Sequence, residues 1–465
     1  MTLTMNPFNI NRTALFLLLA TGLSLAACKK SNDFIGHDNF ITSFSLKKAG
    51  LTFTAAITDS SVIITAPDGF SLDSAVATVS ISENASIYPK PSSIIEWDDE
   101  SLFVVDAHNG EAKSYKYTVT RSSIPVNGSV VLGTQADVDA FGKLGVTEIT
   151  GNLIIGAPAG TDSITSLAAL YKLKKVGYSL IIYPTFAATD IVGLDNLQSV
   201  GTDLKIEGLH DLVTLVLPSL ETAGSISINN PLSETVTFPK LTHVSGALTV
   251  NAPLNSMTFP NLGQVDGDLT LTTDPSSGAA LIQDLSFPVL TSTGSIAVSN
   301  FRQTTKLDLP ALASVTTGDL NISNLTALYD LNCPVLQTTT GIIAIPDPFV
   351  ATKLTQISFP ALTQTGGVAI GINSLNAIDF PVLTTITGDL SIDAQGFPAN
   401  TTLTNLDGFA ALKSVQSISI TGQSALTSFK GLQGVIPHIT AAGWTAWGNA
   451  YNPTYEDLAA GKWTN

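Results

Sequence analysis

The sequence is poor in the residues on which most catalytic and metal sites depend. It has 465 residues but only two cysteines, five histidines and a charged fraction of 12%. No nucleophile elbow, Walker-type phosphate loop or paired-carboxylate motif is present. The histidines are scattered without the spacing of metal ligands, at His37, His108, His210, His243 and His438. We therefore predict that the protein is not an enzyme and binds no cofactor or metal.

Positive charge is also scarce. Lysine and arginine together number 21 against 37 aspartates and glutamates, which gives a formal net charge of −16. Arginine occurs only at Arg12, Arg121 and Arg302. A strongly acidic chain is repelled by nucleic acid and by anionic membrane surfaces, so we predict no nucleic-acid partner.

A repeated phrase runs from about residue 150 to about residue 420 and is clearest in TVTFPKLTHVSGALTV at 235–250. Each copy contains a hydrophobic residue and a proline, a leucine two places later, a glycine about five residues after that, and a short alternating strand. The copies recur about every 24 residues and make about twelve turns. This pattern predicts an all-β fold in which a β-solenoid forms most of the chain.

One copy, MTFPNLGQVDGDLTL, shows how a turn is built. Because side chains alternate along a strand, Met257 and Phe259 face inward in a first strand and Leu269 does so in a second. Pro260 lacks a backbone donor and suits the corner where the first strand ends. Gly267 is expected to let the chain turn tightly into the second strand. A single turn cannot bury these side chains, so the turns must stack into parallel sheets.

The N-terminus predicts a targeting segment. Arg12 precedes the apolar run 14–20, which is too short to span a bilayer, and Leu25-Ala26-Ala27 stand directly before Cys28. This end resembles the lipobox of bacterial lipoproteins, which implies a signal peptide at 1–27, cleavage before Cys28 and lipidation of that residue. An ordinary signal peptide with an unrelated cysteine is the alternative. Several acyl chains would anchor the mature protein stably.

Residues 28–37 then form a lipidated tether. In lipoproteins an aspartate directly after the cysteine is associated with inner-membrane retention, whereas here that position is Lys29. The resemblance therefore implies an outer-membrane location. The charged stretch also resembles surface-export tethers, which implies exposure at the cell surface, although a solvated linker has the same composition.

Residues 38–122 consist of short alternating segments separated by turn signals, which predicts a β-sandwich. The pattern from Ile41-Thr42-Ser43-Phe44 to Tyr115-Lys116-Tyr117-Thr118-Val119-Thr120 resembles the immunoglobulin-like or cadherin-like spacer domains of bacterial surface lipoproteins. Within it, Trp97 is followed by Asp98, Asp99 and Glu100. These carboxylates suit calcium, but no second ligand cluster accompanies them, and a solvated turn beside a packed tryptophan is favoured.

Residues 123–442 begin with a predicted helix at about 135–141 that would cover the open first turn. The strands Gly151-Asn152-Leu153-Ile154-Ile155 and Leu204-Lys205-Ile206, and the corner Leu197-Gln198-Ser199-Val200-Gly201, resemble the receptor L domain. That family has a right-handed, leucine-rich-repeat-like solenoid. The resemblance implies ligand binding by outer surfaces. The receptor domains are shorter and supported by disulfides, however, so growth-factor-like ligands do not follow.

Cys333 stands in LNCPVL at the position that phenylalanine occupies in other turns. We therefore predict a buried, unreactive thiol that acts as a small hydrophobic residue.

Two surfaces are candidates for ligand binding. The first comprises the outward positions of the second strand in each turn, which are small, polar and mildly acidic, though a merely soluble sheet face would look the same. The second is the aromatic segment 443–465, with candidate residues Trp444, Trp447, Tyr451 and Trp463. Flat rings there could cover sugar faces, but solenoids also need caps, and a structural C-terminal cap is the favoured interpretation.

Together these features predict a cell-surface lipoprotein that acts as a noncatalytic binding or adhesion module for a glycan or protein ligand and is held at the membrane by its lipid anchor. A structural outer-membrane envelope protein is the first alternative. A polysaccharide-processing enzyme is less favoured, because right-handed β-helices that cleave acidic polysaccharides rely on arginine or lysine beside calcium-binding carboxylates, and Arg302 is the single arginine of the repeats.

Overall fold

The structure is a computed structural model that describes residues 36–48, 51–67, 70–122, 125–161, 164–274, 280–346, 353–394 and 399–465. The predicted signal peptide, Cys28 and most of the tether lie outside the described residues. The chain divides into two compact units with the main boundary after Thr120, residues Ala66–Phe70 grouping with the second unit. No helix within the described ranges is long and apolar enough to cross a membrane.

The first unit contains two antiparallel sheets, as predicted for a sandwich. The three-stranded sheet has Ile41–Lys48 in its centre, and the five-stranded sheet has Ala112–Ser122 in its centre. In spatial order the strands of the first sheet are Leu51–Thr54, Ile41–Lys48 and Val76–Ile81, and those of the second are Ala56–Ile57, Ser61–Pro67, Ala112–Ser122, Ser101–Asp106 and Ser86–Tyr88. A 3-10 helix covers Pro91–Ser93.

Aromatic side chains from both sheets form the core of this unit. The ring of Phe44 lies 5.8 Å from that of Trp97 and 5.6 Å from that of Phe103, measured between centroids. The buried polar atoms are satisfied, since Trp97 Nε1 donates to the Ala75 carbonyl at 3.0 Å and Tyr117 Oη donates to the Trp97 carbonyl at 2.8 Å. Edge-to-face and offset ring pairs of this kind stabilise a small core beyond the area they bury.

The second unit is a β-solenoid of about 13 turns, which confirms the predicted fold class. Its main feature is a 22-stranded sheet, here called the long sheet, in which the strands of successive turns run parallel. The main strands are Val130–Leu132, Leu153–Ile155, Leu180–Ile182, Ser199–Glu207, Thr222–Asn229, Leu248–Asn251, Gln264–Thr272, Ser292–Ser299, Leu320–Ser323, Ile342–Ile345, Gly367–Ile370, Asp389–Asp393, Ser417–Thr421 and Trp444–Trp447.

Shorter strands complete each turn. Two-residue strands extend the long sheet around the corner that precedes the main strands: Pro125–Val126, Glu148–Ile149, Lys175–Val176, His243–Val244, Ser314–Val315, Thr338–Thr339, Gln364–Thr365 and Thr385–Ile386. Smaller parallel sheets contain the strand that precedes the proline: Thr214–Val216, Thr235–Thr237 and Ser256–Thr258; Asp284–Ser286, Lys306–Asp308 and Asp330–Asn332; Gln356–Ser358 and Ala377–Asp379.

The predicted inward positions form continuous ladders. Phe259 and Leu269 are buried, and the ring of Phe259 lies 5.5 Å from the ring of the turn before, Phe238, and 5.9 Å from that of the turn after, Phe287. Cys333 occupies the same slot at 1% exposure, as predicted. Like faces of consecutive turns therefore bury each other's apolar surface, which is the main source of stability in a solenoid.

The glycine of the repeat has a different role from the one expected. Gly267 does not adopt a left-handed backbone, so a tight turn does not require it. A Cβ at Gly267 would lie 2.8 Å from the carbonyl carbon of Gly246 in the turn before, and one at Gly201 would lie 1.8 Å from the Gly177 oxygen. The glycines form a column where the backbones of adjacent turns approach too closely for any side chain.

Both ends of the solenoid extend one strand beyond the repeats visible in the sequence. Val130–Leu132 pairs in parallel with Leu153–Ile155, and Trp444–Trp447 pairs in parallel with Ser417–Thr421. The predicted first helix is present at Gln135–Gly142 and begins with a capping box. 3-10 helices cover Ala168–Leu170, Lys430–Leu432, Ile436–His438 and Ala441–Gly443, and a second α-helix covers Tyr455–Ala459.

Candidate functional site

The outward side chains of the long sheet form one extended surface, here called the outer face. Parallel pairing in register aligns equivalent residues of successive turns into rows. One row is rich in aspartate and serine, and the next contains short side chains after Lys205 in its first position. The aspartate row includes Asp203, Ser225, Ala247, Asp268, Ser295, Asp319, Asp389 and Ser417, and the middle row includes Lys205, Ser227, Thr249, Thr270, Ala297, Asn321, Ala344, Ala369, Ser391, Ser419 and Thr445.

Hydrogen bonds between turns hold the carboxylates of the first row. Ser295 Oγ donates to Asp268 Oδ1 at 2.6 Å, and Ser417 Oγ donates to Asp389 Oδ1 at 2.6 Å. Asp319 Oδ1 accepts the backbone N–H of Ile342 at 2.7 Å. A carboxylate has acceptor sites for several hydrogen bonds, so each of these groups retains capacity for a hydroxyl or amide donor while its position is fixed.

A third row lies where the main strands end. Asn251 Nδ2 donates to Asn229 Oδ1 at 3.0 Å, and Ser299 Oγ donates to Thr272 Oγ1 at 2.9 Å. The row ends at Trp447, which pairs in register with Thr421. The outer face is therefore a preorganised array of hydroxyls, carboxamides and carboxylates, interrupted by apolar residues at Ile342, Ala344 and Ala369, with a tryptophan at its C-terminal end.

The structure separates the four aromatic residues that the sequence places together. Trp444 is buried, with its ring 5.8 Å from that of Phe429 and its Nε1 donating to the Pro453 carbonyl at 2.9 Å. Tyr451 also packs on Phe429 at 6.0 Å. Trp447 faces outward with 53% of its surface exposed, because alternation in the strand puts it on the face opposite to the core.

Trp463 is partly buried against the core at the end of the chain. Its carbonyl accepts the N–H of Phe429 at 2.9 Å, and Thr464 bridges to Ser428 in antiparallel orientation. These contacts cover the backbone edge of the final turn, as a cap must. Of the four candidate rings, Trp447 is the one that the structure offers to a ligand.

A second surface, in the first turns, did not emerge from the sequence as a candidate. We call it the lysine–tyrosine surface, and it consists of Lys143, Tyr171, Lys172, Lys174, Lys175 and Tyr178. The tyrosine rings are exposed at 53% for Tyr171 and 58% for Tyr178. The stretch YKLKKVGY was visible as a local concentration of lysine in an acidic chain, and that composition was the available signal.

Stacking of turns brings Lys143 to this surface. Lys174 N donates to the Thr147 carbonyl at 2.8 Å, and Tyr178 N donates to the Gly151 carbonyl at 3.1 Å, so the segment from Tyr171 to Tyr178 lies against the turn that follows Lys143. The Lys172 ammonium lies 3.7 Å from the position of a Cβ on Gly145. Lys175 pairs with Glu148 at 2.8 Å across the same two turns.

The acidic turn near Trp97 is accounted for by local contacts. Asp98 Oδ1 accepts the N–H of Leu72 at 3.0 Å, and Glu100 pairs with Lys116 at 2.8 Å. Across the described part of the chain, no three His, Cys, Asp or Glu side chains form a group that could hold a metal ion.

One shallow cavity of about 450 Å³ lies between the turns that contain Ile191 and Val213. Its two carboxylates serve the local backbone, since Asp190 Oδ1 accepts from Val192 N at 3.0 Å and Asp195 Oδ2 accepts from Gly193 N at 2.8 Å. The carboxylates at this cavity therefore stabilise the loop backbone.

In a comparison with known families, no protein-family model matches this sequence.

Proposed function

We propose that the protein is a cell-surface lipoprotein whose solenoid acts as a noncatalytic binding or adhesion module for a glycan or protein ligand. The observation that carries the proposal is the outer face, where carboxylates and hydroxyls are fixed in rows by contacts such as Ser295 Oγ to Asp268 Oδ1 at 2.6 Å. Polar groups that are already positioned lose little entropy when a ligand binds, and repetition over many turns multiplies weak contacts.

Among the described residues, the two large pKa shifts both occur at positions with a structural role. Burial, with a smaller contribution from Asp308, raises the pKa of Cys333 to about 12 in the core. The hydrogen bond from Lys462 lowers the pKa of Asp457 to about 2 in the cap of the last helix. Both groups have structural explanations, whereas catalytic acids and bases gather as perturbed groups in a cleft.

Anchoring is proposed from the sequence. The residues Leu25-Ala26-Ala27-Cys28 resemble a lipobox and Lys29 follows them, which supports lipidation of Cys28 and an outer-membrane location. In this proposal the first unit is an immunoglobulin-like spacer, and the solenoid is a leucine-rich, receptor L-like binding domain. The supporting features are the aromatic-cored sandwich and the parallel leucine ladders.

Protease shaving of intact cells tests the location, with lysed cells as the control. We expect an antibody against residues 123–465 to lose its signal on intact cells while a periplasmic marker survives. If the domain is cleaved only after lysis, the surface role is wrong and a structural envelope protein becomes the better description. A defect in envelope integrity on gene deletion would then be the measurement to make.

A panel of glycans and surface proteins tests the binding role with the purified full-length chain. We expect saturable binding without release of sugar, and sugar release would establish a polysaccharide-processing enzyme instead. Trp447→Ala and Trp447→Phe form a matched pair, because the second retains an aromatic ring. If the ring contacts the ligand, the alanine variant weakens binding more than the phenylalanine variant, while neither changes the melting temperature appreciably.

A further inference from the structure

We propose that the lysine–tyrosine surface of the first solenoid turns binds an acidic polysaccharide, one that carries carboxylate or sulfate groups along a linear chain. This inference rests on the proposed binding function and specifies its ligand class and its site. It uses a surface at the opposite end of the solenoid from Trp447, which makes the two sites separable by mutation.

Positive charge is concentrated here to an extent that the chain as a whole does not suggest. Residues 141–180 contain four lysines and two carboxylates, a local balance of +2. Because the whole chain carries −16, the other 425 residues carry −18. One of those two carboxylates, Glu148, pairs with Lys175 at 2.8 Å. The preceding helix adds Asp137 and Asp139 beyond this span, so attraction acts on an anionic ligand that stays beside the lysines, whereas the chain as a whole is acidic.

The lysines lie close enough to act on one ligand. The segment from Tyr171 to Tyr178 spans seven residue steps and so reaches at most about 25 Å. Adjacent turns are stacked about 4.8 Å apart, which brings the turn of Lys143 alongside. Lysine ammonium groups on flexible stems donate in several directions and suit carboxylate or sulfate groups whose spacing varies along a polymer.

The tyrosines supply the contact that charge alone lacks. Tyr171 and Tyr178 are both more than half exposed, at 53% and 58%. The Lys172 Nζ lies 5.5 Å from the centroid of the Tyr171 ring, so an anionic group at that ammonium would lie beside an aromatic surface. Tyrosine presents a large, rigid, amphipathic face at small entropic cost, which suits the apolar face of a sugar ring.

The charge distribution favours a linear polymer over other anionic partners. A membrane surface is extended and would face the acidic remainder of the chain as well as this patch, so repulsion would oppose adsorption. A polysaccharide is one chain wide and can follow these two turns while it meets only the first carboxylate of the aspartate row, Asp203, which accepts a hydrogen bond from Ser179 Oγ at 3.2 Å. An acidic protein would need a complementary interface of about 800 Å² on this side, which is larger than six side chains provide.

The test measures binding of the purified full-length chain to polygalacturonate, alginate and chondroitin sulfate, with carboxyl-reduced polygalacturonate as the neutral matched polymer. We expect at least one of the acidic polymers to bind. If polygalacturonate binds, its affinity should exceed that of its carboxyl-reduced form about tenfold or more. Binding should weaken as the salt concentration rises from about 0.05 to about 0.5 M.

The variant K143Q/K172Q/K174Q removes three positive charges from the surface. Its matched control, K240Q/K353Q/K413Q, removes three from exposed lysines elsewhere in the solenoid. We expect about a tenfold or greater loss of affinity for the first variant and less than about twofold for the control. Lysine-to-arginine changes at the first three positions should retain binding, and melting curves show whether each variant is folded.

Replacing Tyr171 and Tyr178 by alanine tests the rings, and replacement by phenylalanine is the control. We expect the alanine pair to weaken polymer binding about fivefold or more while the phenylalanine pair retains most of it. The tyrosine contact is refuted if both pairs bind equally well.

Several outcomes would overturn the inference. The inference is wrong if none of the three acidic polymers binds, or if the carboxyl-reduced polymer binds with the same affinity as the acidic one. It is also wrong if the control lysine variant loses as much affinity as K143Q/K172Q/K174Q, or if phosphatidylglycerol vesicles, poly(dT) or an acidic protein bind more tightly than the polysaccharides. If a neutral glycan or a protein binds with no effect of the lysine changes, the proposed function stands and the site is elsewhere. If no ligand binds and shaving places the domain inside, both fail.

Discussion

Replacement of Gly201 by alanine is the sharpest test of how the turns are stacked. The new Cβ would stand 1.8 Å from the backbone oxygen of Gly177 in the turn before, whereas real Cβ atoms essentially never approach a heavy atom within 3.0 Å. The two backbones must therefore separate by roughly 1.2 Å or more. Backbone atoms cannot swing aside as a flexible side chain can.

Separation of that size damages hydrogen bonds on both sides of the glycine. Thr202 N donates to the Tyr178 carbonyl at 3.1 Å, and Gln198 N donates to the Lys174 carbonyl at 2.7 Å. Each such bond contributes about 1 kcal/mol net, and overpacking in a close-packed interior costs a further 1–3 kcal/mol or so. We expect Gly201→Ala to lower the free energy of unfolding by about 3–5 kcal/mol.

The matched control is Gly263→Ala. Its Cβ would meet the Thr242 oxygen at 3.7 Å, an ordinary contact, and its backbone is not left-handed. We expect a change within about 1 kcal/mol, in either direction. Urea unfolding followed by circular dichroism gives the global effect, and hydrogen exchange at the amides of Thr202 and its neighbours shows whether the loss is local. A Gly201→Ala variant as stable as the control would refute the close-approach explanation of the glycine column.

The remaining predictions concern the core and the cap. Phe259→Ala should destabilise the solenoid by about 3–5 kcal/mol, because it leaves a gap between two flanking rings, and a urea titration measures this. Burial raises the pKa of the Cys333 thiol to about 12, so this thiol should not react with Ellman reagent in the folded protein at neutral pH. The thiol ionises at its ordinary pKa of 9.0 in the unfolded chain. Its contribution to stability is therefore complete below pH 9 and declines as the pH rises toward 12. Trp444→Ala should lower the melting temperature, whereas Trp447→Ala should change the free energy of unfolding by less than about 0.5 kcal/mol. The hydrogen bond from Lys462 lowers the pKa of Asp457 to about 2. Its carboxylate should therefore stabilise the last helix fully above pH 3.8, the ordinary pKa, and stop doing so as the pH falls toward 2. An NMR titration measures this pKa.

Each of these has an outcome that would contradict it. Equal stability of Phe259→Ala and wild type would mean that the phenylalanine stack relaxes freely, and fast modification of Cys333 before unfolding would mean that its turn opens. Equal effects of the two tryptophan changes would contradict the division between a buried and an exposed ring. A midpoint near 4 for Asp457 would show that its hydrogen bonds are not formed in solution.

Sequence periodicity predicts the inward ladders well, because a residue type that recurs about every 24 positions has to occupy the same slot in each turn. Phe259 and Cys333 are both where this argument puts them. The role of the repeat glycine is harder to predict from the sequence, because a glycine shows only that a side chain is absent. Whether the cause is a left-handed backbone, as expected at Gly267, or the approach of another turn depends on atoms that are distant in sequence.

The candidate sites were less predictable for a related reason. The strand Trp444–Trp447 contains no leucine or isoleucine to mark its inward positions, so nothing in the sequence gives the parity of this strand. Parity alone decides that Trp444 is buried while Trp447 is exposed. Lys172, Lys174 and Lys175 are visible as near neighbours in the chain. Lys143 joins them only through stacking of turns, which pairing between strands reveals and composition does not.

The nearest-neighbour pairing of the turns also governs how the protein would respond to mechanical force. Each described main strand between the first and the last of the long sheet bonds to the turns directly before and after it, so tension applied at the C-terminus loads one interface at a time. The first contacts to bear it are the antiparallel bridge between Thr464 and Ser428 and the Phe429 N–H to Trp463 carbonyl bond of 2.9 Å. After these contacts break, the turns can unfold one after another from the C-terminus, and each unfolded turn releases about 24 residues of extended chain. With the proposed N-terminal lipid anchor, the solenoid would yield gradually under shear and lengthen, while its first turns remained folded.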